Sequence, residues 1–136
     1  MTPEMLIVFL SWAAYLSGYP NPTPEEPPEL RFESHAFFVE NVCGGKECKV
    51  VGWYDDQDIV YIDKRYEQID SGFVTSLVVH EFTHFLQHKS GNFNESCKDK
   101  IRREREAYYI QNLYRIEAQT TVGMIPARFM TCGDSG

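Results

Sequence analysis

The sequence has no long hydrophobic run. Its most apolar stretch, Leu6-Ile7-Val8-Phe9-Leu10 followed by Trp12-Ala13-Ala14-Tyr15-Leu16, is too short to span a bilayer comfortably. That stretch also has no basic segment before it of the kind that opens a signal peptide. The chain has no basic patch: 20 acidic residues against 13 basic ones give a formal net charge of −7. Nucleic acid and anionic membrane are therefore poor partners for it. It lacks internal repeats and low-complexity segments. Cysteine is sparse, and Cys43, Cys48, Cys97 and Cys132 lack the closely knit spacing of a structural zinc site.

What is present suits one folded domain of 136 residues, with 43% apolar and 24% charged residues. Thr2-Pro3-Glu4 reads as an N-cap, a proline at the first helical position and an acid in the first turn. Gly18 is placed to stop that helix, so residues 3–17 are predicted as the first helix of the domain. The sequence is also compatible with a mature chain whose leader has been removed. Four cysteines allow three pairings, of which Cys43–Cys48 and Cys97–Cys132 is preferred: the first closes a short Gly-Gly loop and the second pins the C-terminal tail. Two disulfides would place the protein in an oxidising compartment, periplasmic or secreted; four reduced thiols would make it cytoplasmic.

Residues 20–28 hold five of the seven prolines and are expected to form an extended surface connector. Leu30–Glu33 alternates as a short strand. Ser34 can cap a helix through Phe37, Phe38, Val39 and Val42. Lys49–Tyr54 and Ile59–Ile62, separated by Asp55-Asp56-Gln57-Asp58, read as a hairpin. Asp70 or Ser71 can cap a helix from about Gly72 to Lys89, ended by Gly91. Another helix is expected from Asn94 or Ser96 to about Gln119, then a short segment from Ile125 to Met130 interrupted by Pro126. The prediction is a single α+β domain over residues 1–136. An N-terminal helix, a small sheet of about three strands and two long C-terminal helices follow in the order α-β-α-β-β-α-α.

The chemistry is concentrated in His80-Glu81-Phe82-Thr83-His84. Residues four apart on a helix share one face, so His80 and His84 can hold one Zn²⁺ ion. Glu81, one residue along, stands beside the metal, where it can act as general base toward a water the ion activates. The competing reading is an amphipathic helix carrying two ordinary histidines; the apolar residues Leu77, Val78 and Val79 just before the motif favour the metal site.

A catalytic zinc needs a third protein ligand and an open position. Gln87 and Ser90 occupy the places where the HExxHxxGxxH pattern requires glycine and histidine, so that pattern is excluded. His88 lies one turn beyond His84, but three histidines on successive turns of a straight helix span about 12 Å, too far for one ion. The remaining candidates are Glu104 and Glu106, since the short connection after Lys89 lets the next helix fold back alongside. Helical periodicity does not choose between them, and either acid could instead be solvated and paired with Arg102, Arg103 or Arg105; for Glu106 that is the expected reading.

With His80-Glu81-x-x-His84 followed some twenty residues later by Glu104-Arg105-Glu106-Ala107, the chain resembles the gluzincin zinc peptidases over about residues 72–118. It looks most like their small single-domain forms, the minigluzincins, and like the E-x-x-A segment of related membrane proteases. In arrangement it is also similar to small bacterial proteins that carry the motif. The resemblance implies Glu104 as third ligand, one zinc ion per chain and hydrolysis of a peptide or protein substrate. Many such families place Asp or Asn after the alanine to orient a zinc histidine. Here Tyr108 stands there, and it could donate to a histidine, a ligand or an oxyanion. By the same analogy an extended substrate would pair with strand 49–54 or 59–62, with Trp53, Tyr54 and Tyr61 near the cleft. The alternative function is a catalytically silent zinc-containing module that binds another protein.

Overall fold

The computed structural model describes residues 1–22, 27–68, 71–120, 124–126, 130 and 132. Helix α1 (Pro3–Ser17) begins where Thr2 accepts a hydrogen bond from the Met5 amide, and ends at Gly18, whose φ of 82° suits glycine. Strand β1 (Glu29–Glu33) and helix α2 (His35–Asn41, capped by Ser34) follow. Strands β2 (Gly52–Tyr54) and β3 (Ile59–Asp63) lead into helix α3 (Gly72–Lys89) and helix α4 (Cys97–Glu117). The α+β layout is as expected, with a mixed three-stranded sheet in the order β1-β3-β2. β1 runs parallel to β3 and β2 antiparallel to it.

Several boundaries differ from the sequence-based expectation. The first strand of the hairpin is shorter, Gly52–Tyr54 instead of 49–54. Its turn is closed by Asp55, whose carboxylate accepts from the Gln57 and Ile59 amides. Ser71 caps α3 and Ser96 caps α4; Asp70, the other candidate for α3, lies outside the described residues, as do residues 23–26 of the proline-rich connector and 127–129 of the last segment. The α4 helix ends at Glu117, not near Gln119.

Helix α3 is the middle of the molecule, packed against β2 and β3 on one side and α1 and α4 on the other. This explains why it is apolar around most of its circumference, with Val78, Val79, Phe82 and Leu86 fully buried. Val60 and Ile62 of β3, and Leu10 and Ala13 of α1, close the core around it. The alternation of the hairpin divides its side chains. Gly52 and Tyr54 pair with Ile62 and Val60, the residues that enter this core. Trp53 and Tyr61 pair on the other face, stacked at 5.3 Å and packed against Phe37 of α2. Both preferred disulfides are formed, Cys43–Cys48 and Cys97–Cys132. Among the described residues no helix is long and apolar enough to cross a membrane.

Candidate metal centre

The HExxH residues lie in the second half of α3, inside the core. His80 and Glu81 are 4% and 5% exposed. Helix α4 packs alongside and presents Glu104 to both imidazoles: its Oε1 is 2.8 Å from His80 Nε2, and its Oε2 is 3.1 Å from His84 Nε2. Of the two candidate acids the structure brings Glu104 to the histidines. Glu106 turns away and accepts hydrogen bonds from Gln87 and from the Tyr19 hydroxyl, so the expectation that it is solvated and paired with arginine is corrected.

Hydrogen bonding fixes the histidine tautomers. Gln87 donates through Nε2 to the Arg103 carbonyl and to Glu106, so its Oε1 can only accept; the His84 Nδ1, 2.8 Å away, must donate to it. Gln111 donates to Ser76 Oγ, which itself donates to the Phe73 carbonyl, so the Gln111 Oε1 accepts from His80 Nδ1 at 2.9 Å. Both Nδ1 atoms thus carry protons, and both Nε2 atoms face the Glu104 carboxylate. A bare Nε2 lone pair cannot face a carboxylate oxygen at these distances. Each contact needs a proton or a metal ion between the two atoms.

The donor set fits a zinc-like ion. Two ligand atoms at about 2.0–2.1 Å from a tetrahedral centre lie about 3.3 Å apart, near the two separations seen here. Two imidazole nitrogens and one carboxylate oxygen are ligands zinc takes readily. Donor atoms of His80, Glu81 and His84 also fall within 4.8 Å of one another. Glu81 Oε2, however, is 4.0 Å from His80 Nε2, and the carboxylate reaches toward β2. A Cβ on Gly52 would lie 2.7 Å from Glu81 Oε2, so the strand approaches the carboxylate as closely as it does because residue 52 is glycine.

These residues open on a cleft of about 670 Å³, lined also by Trp53, Tyr54 and Tyr108. The Tyr108 ring stands edge-on to His80 at 4.7 Å. His88 is outside the centre. Its Nδ1 is 3.0 Å from the Tyr54 hydroxyl, and its ring packs on Phe93. Tyr61 packs on the far face of the sheet and lends its hydroxyl to Asp55. β3 is the central strand, so only β2 offers the cleft a free edge among the described residues.

Gln87, Gln111 and Gly52 escaped the sequence reading. Gln87 is three residues after His84 and Gln111 seven after Glu104, spacings that share a helix face and could have marked both amides as partners of the site. Gly52 gives no such signal, because its contact with Glu81 exists only once the sheet packs on α3.

Charge follows from this packing. Burial raises the Glu81 pKa above the ordinary carboxylate value, and the neighbouring imidazoles only partly offset it. Burial would lower His84, but the hydrogen bond and charge of Glu104 outweigh it and lift His84 to about 9. Burial would raise Glu104, but hydrogen bonds from His80 and His84 hold it below the ordinary range. In the metal-free protein the His84 contribution to stability is full below its unfolded pKa of about 6.5 and fades as pH rises through about 9. The Glu104 contribution is present above its unfolded value and fades as pH falls. Metal entry must displace the His84 proton. Apparent affinity for a divalent metal ion should therefore rise by up to about tenfold per pH unit and level off above about 9. Calorimetric titrations in buffers of different ionisation enthalpy would count the protons released. A pH-independent affinity would show that the Nε2 atoms carry no proton to displace.

No protein-family model, curated protein or solved structure matches the chain.

Proposed function

We propose that this chain is a zinc peptidase of gluzincin type, in which His80, His84 and Glu104 hold the ion and Glu81 is the general base. One observation carries the reading: a single carboxylate is shared by two imidazoles whose Nδ1 atoms are already committed, while a second buried carboxylate stands apart on the cleft side. A site built for the histidines alone would have no use for that second acid.

When bound, zinc supplies a Lewis acid that polarises a carbonyl and makes water acidic. Glu81 takes a proton from the attacking water at its carboxylate and delivers it to the leaving nitrogen. Gln87 and Gln111 hold the ligand imidazoles in their tautomer and plane. Tyr108, beside His80 on the cleft wall, donates toward the oxygen on which negative charge develops. The free edge of β2 hydrogen-bonds an extended peptide and sets its direction across the site. Two disulfides suit an oxidising compartment, periplasmic or extracellular.

The test is incubation of zinc-loaded protein with a mixed peptide library, read by mass spectrometry. New termini should appear, vanish with a chelator and return when zinc is restored. Stoichiometric zinc without any cleavage would identify a silent zinc-binding module instead.

A further inference from the structure

Helices α1 and α4 share an outer face that the metal centre does not use. Among the described residues, most of the exposed large hydrophobic side chains lie there: Met5, Val8 and Tyr15 on α1, Tyr109 and Ile116 on α4. On each helix they stand three or seven residues apart, so each set forms one stripe. Trp12 joins the two stripes. It lies between Val8 and Tyr15 on α1, and its ring packs edge-on against Tyr15 at 6.2 Å and against Tyr114 of α4 at 5.7 Å. Tyr15 and Tyr109 are 75% and 61% exposed, so their rings are largely uncovered. Glu104, Tyr108 and Gln111 carry the cleft face of α4. Tyr109 and Ile116 stand about a third of a turn round from them. Monomeric proteins expose single apolar side chains freely but seldom a continuous pair of stripes.

The two ends of this face carry opposite charge. Toward the start of α4 the stripe continues through Arg105, Arg102 and Lys98, which line a shallow groove with Ile101. Glu104 and Glu106, close to them in sequence, are taken up by the histidines and by Gln87. Among the described residues neither Lys98 nor Arg105 has an ion-pair partner. At the other end, α1 runs antiparallel to α4, with Trp12 beside Tyr114 and Tyr19 beside Glu106. Glu4 in the first turn of α1 therefore comes near the level of Glu117, the last residue of α4, and both are exposed.

We infer that this face binds a second copy of the chain. A two-fold axis that crosses both helices near the level of Tyr15 and Tyr109 lays α4 antiparallel on the α4 of the copy. Each cationic end then meets the acidic end of the other copy, with the tyrosines in the middle and the charges at the rim. An anionic membrane would suit the apolar stripes but is repelled by Glu4, Glu117 and the net charge of −7. The face is about 27 Å long and two helices, about 20 Å, wide, or about 1,100 Å² for both partners. That is the low end for a specific interface, so the dimer is reversible, with a Kd of about 10–100 μM. The cleft is not part of this face, and pairing here is independent of what the cleft binds or cuts.

Sedimentation velocity of the full chain between about 1 and 500 μM should show a monomer–dimer equilibrium that weakens as salt is added. Tyr109→Asp should weaken it at least about tenfold. Lys98→Glu with Arg105→Glu should do the same, and so should Glu4→Lys with Glu117→Lys, because like charges then face each other. Mixing these two double variants should restore association to within about threefold of wild type, since each end again meets its opposite. Circular dichroism checks that every variant is folded. A wild-type chain that is still monomeric at about 500 μM overturns the inference. So does a dimer that all three variants leave unchanged, or a mixture of folded double variants that stays monomeric. Binding to vesicles of phosphatidylglycerol and phosphatidylcholine by a chain that stays monomeric in solution would assign the face to a membrane instead.

Discussion

In the zinc peptidase proposed above, Glu81→Gln should keep its zinc and lose about 10²–10⁴-fold in peptide hydrolysis, the range general-base catalysis supplies. Gln preserves the shape of the side chain and removes the one thing the mechanism asks of it, a basic oxygen. Metal retention is expected because the proposed ligands are His80, His84 and Glu104, while Glu81 stands 4.0 Å from His80 Nε2. In the metal-free protein burial raises the Glu81 pKa and the two imidazoles oppose that shift. A divalent cation between those imidazoles would oppose it more strongly and favour the ionised, basic carboxylate. Gly52→Val should act through the same carboxylate. Any Cβ at residue 52 meets Glu81 Oε2 at 2.7 Å, and displacing a base by about an ångström can cost about 10²-fold. Both variants are read by metal analysis beside turnover. Loss of zinc from Glu81→Gln would make Glu81 a ligand and leave the base unassigned.

The contrast between Glu81 and Gly52 shows what the sequence could disclose. Glu81 belongs to a local pattern, and a helix converts that pattern into geometry without help from the rest of the fold. The same holds for Thr2, Ser34, Ser71 and Ser96, whose capping bonds reach only three residues along the chain. Gly52 acts on a residue 29 positions away in sequence, through the packing of β2 on α3. Nothing in the neighbourhood of Gly52 records that contact. Glu106 was misread for the same reason. Three arginines surround it in sequence, which suggests surface ion pairs, yet its partners are Tyr19 beyond α1 and Gln87 on α3. Arg102 and Arg103 pair with Asp99 instead. The choice of Glu104 came from resemblance and not from periodicity, because choosing between acids two apart requires the rotation of α4 about its own axis. That rotation is set by Ala107, Ile110 and Tyr114 seating in the interhelical core.

On the proposed reading, Glu104→Ala should weaken metal binding about 10²–10³-fold. Binding energies of about 10–16 kcal/mol for four-ligand zinc sites suggest about 2.5–4 kcal/mol per ligand, or about 10²–10³-fold in affinity. Glu106→Ala and Gln87→Ala should be milder, about 10–100-fold, because they disturb only the orientation of His84. The metal-free proteins provide an independent reading. Glu104 is what lifts His84 to about 9 against the opposing effect of burial. Without that carboxylate, burial is opposed only by the Glu81 charge and the Gln87 hydrogen bond, so the His84 titration should fall from about 9. A proton NMR titration of His84 in wild type and Glu104→Ala would measure the difference directly. The sign matters more than the size. If His84 titrated unchanged in the variant, the paired contacts of Glu104 with the two Nε2 atoms would not exist in solution, and the third ligand would have to be sought elsewhere. If the shift appeared and zinc still bound with wild-type affinity, Glu104 would be a proton partner of the histidines and not a ligand. Only the loss of both the metal and the raised titration assigns Glu104 the place that its two short contacts give it.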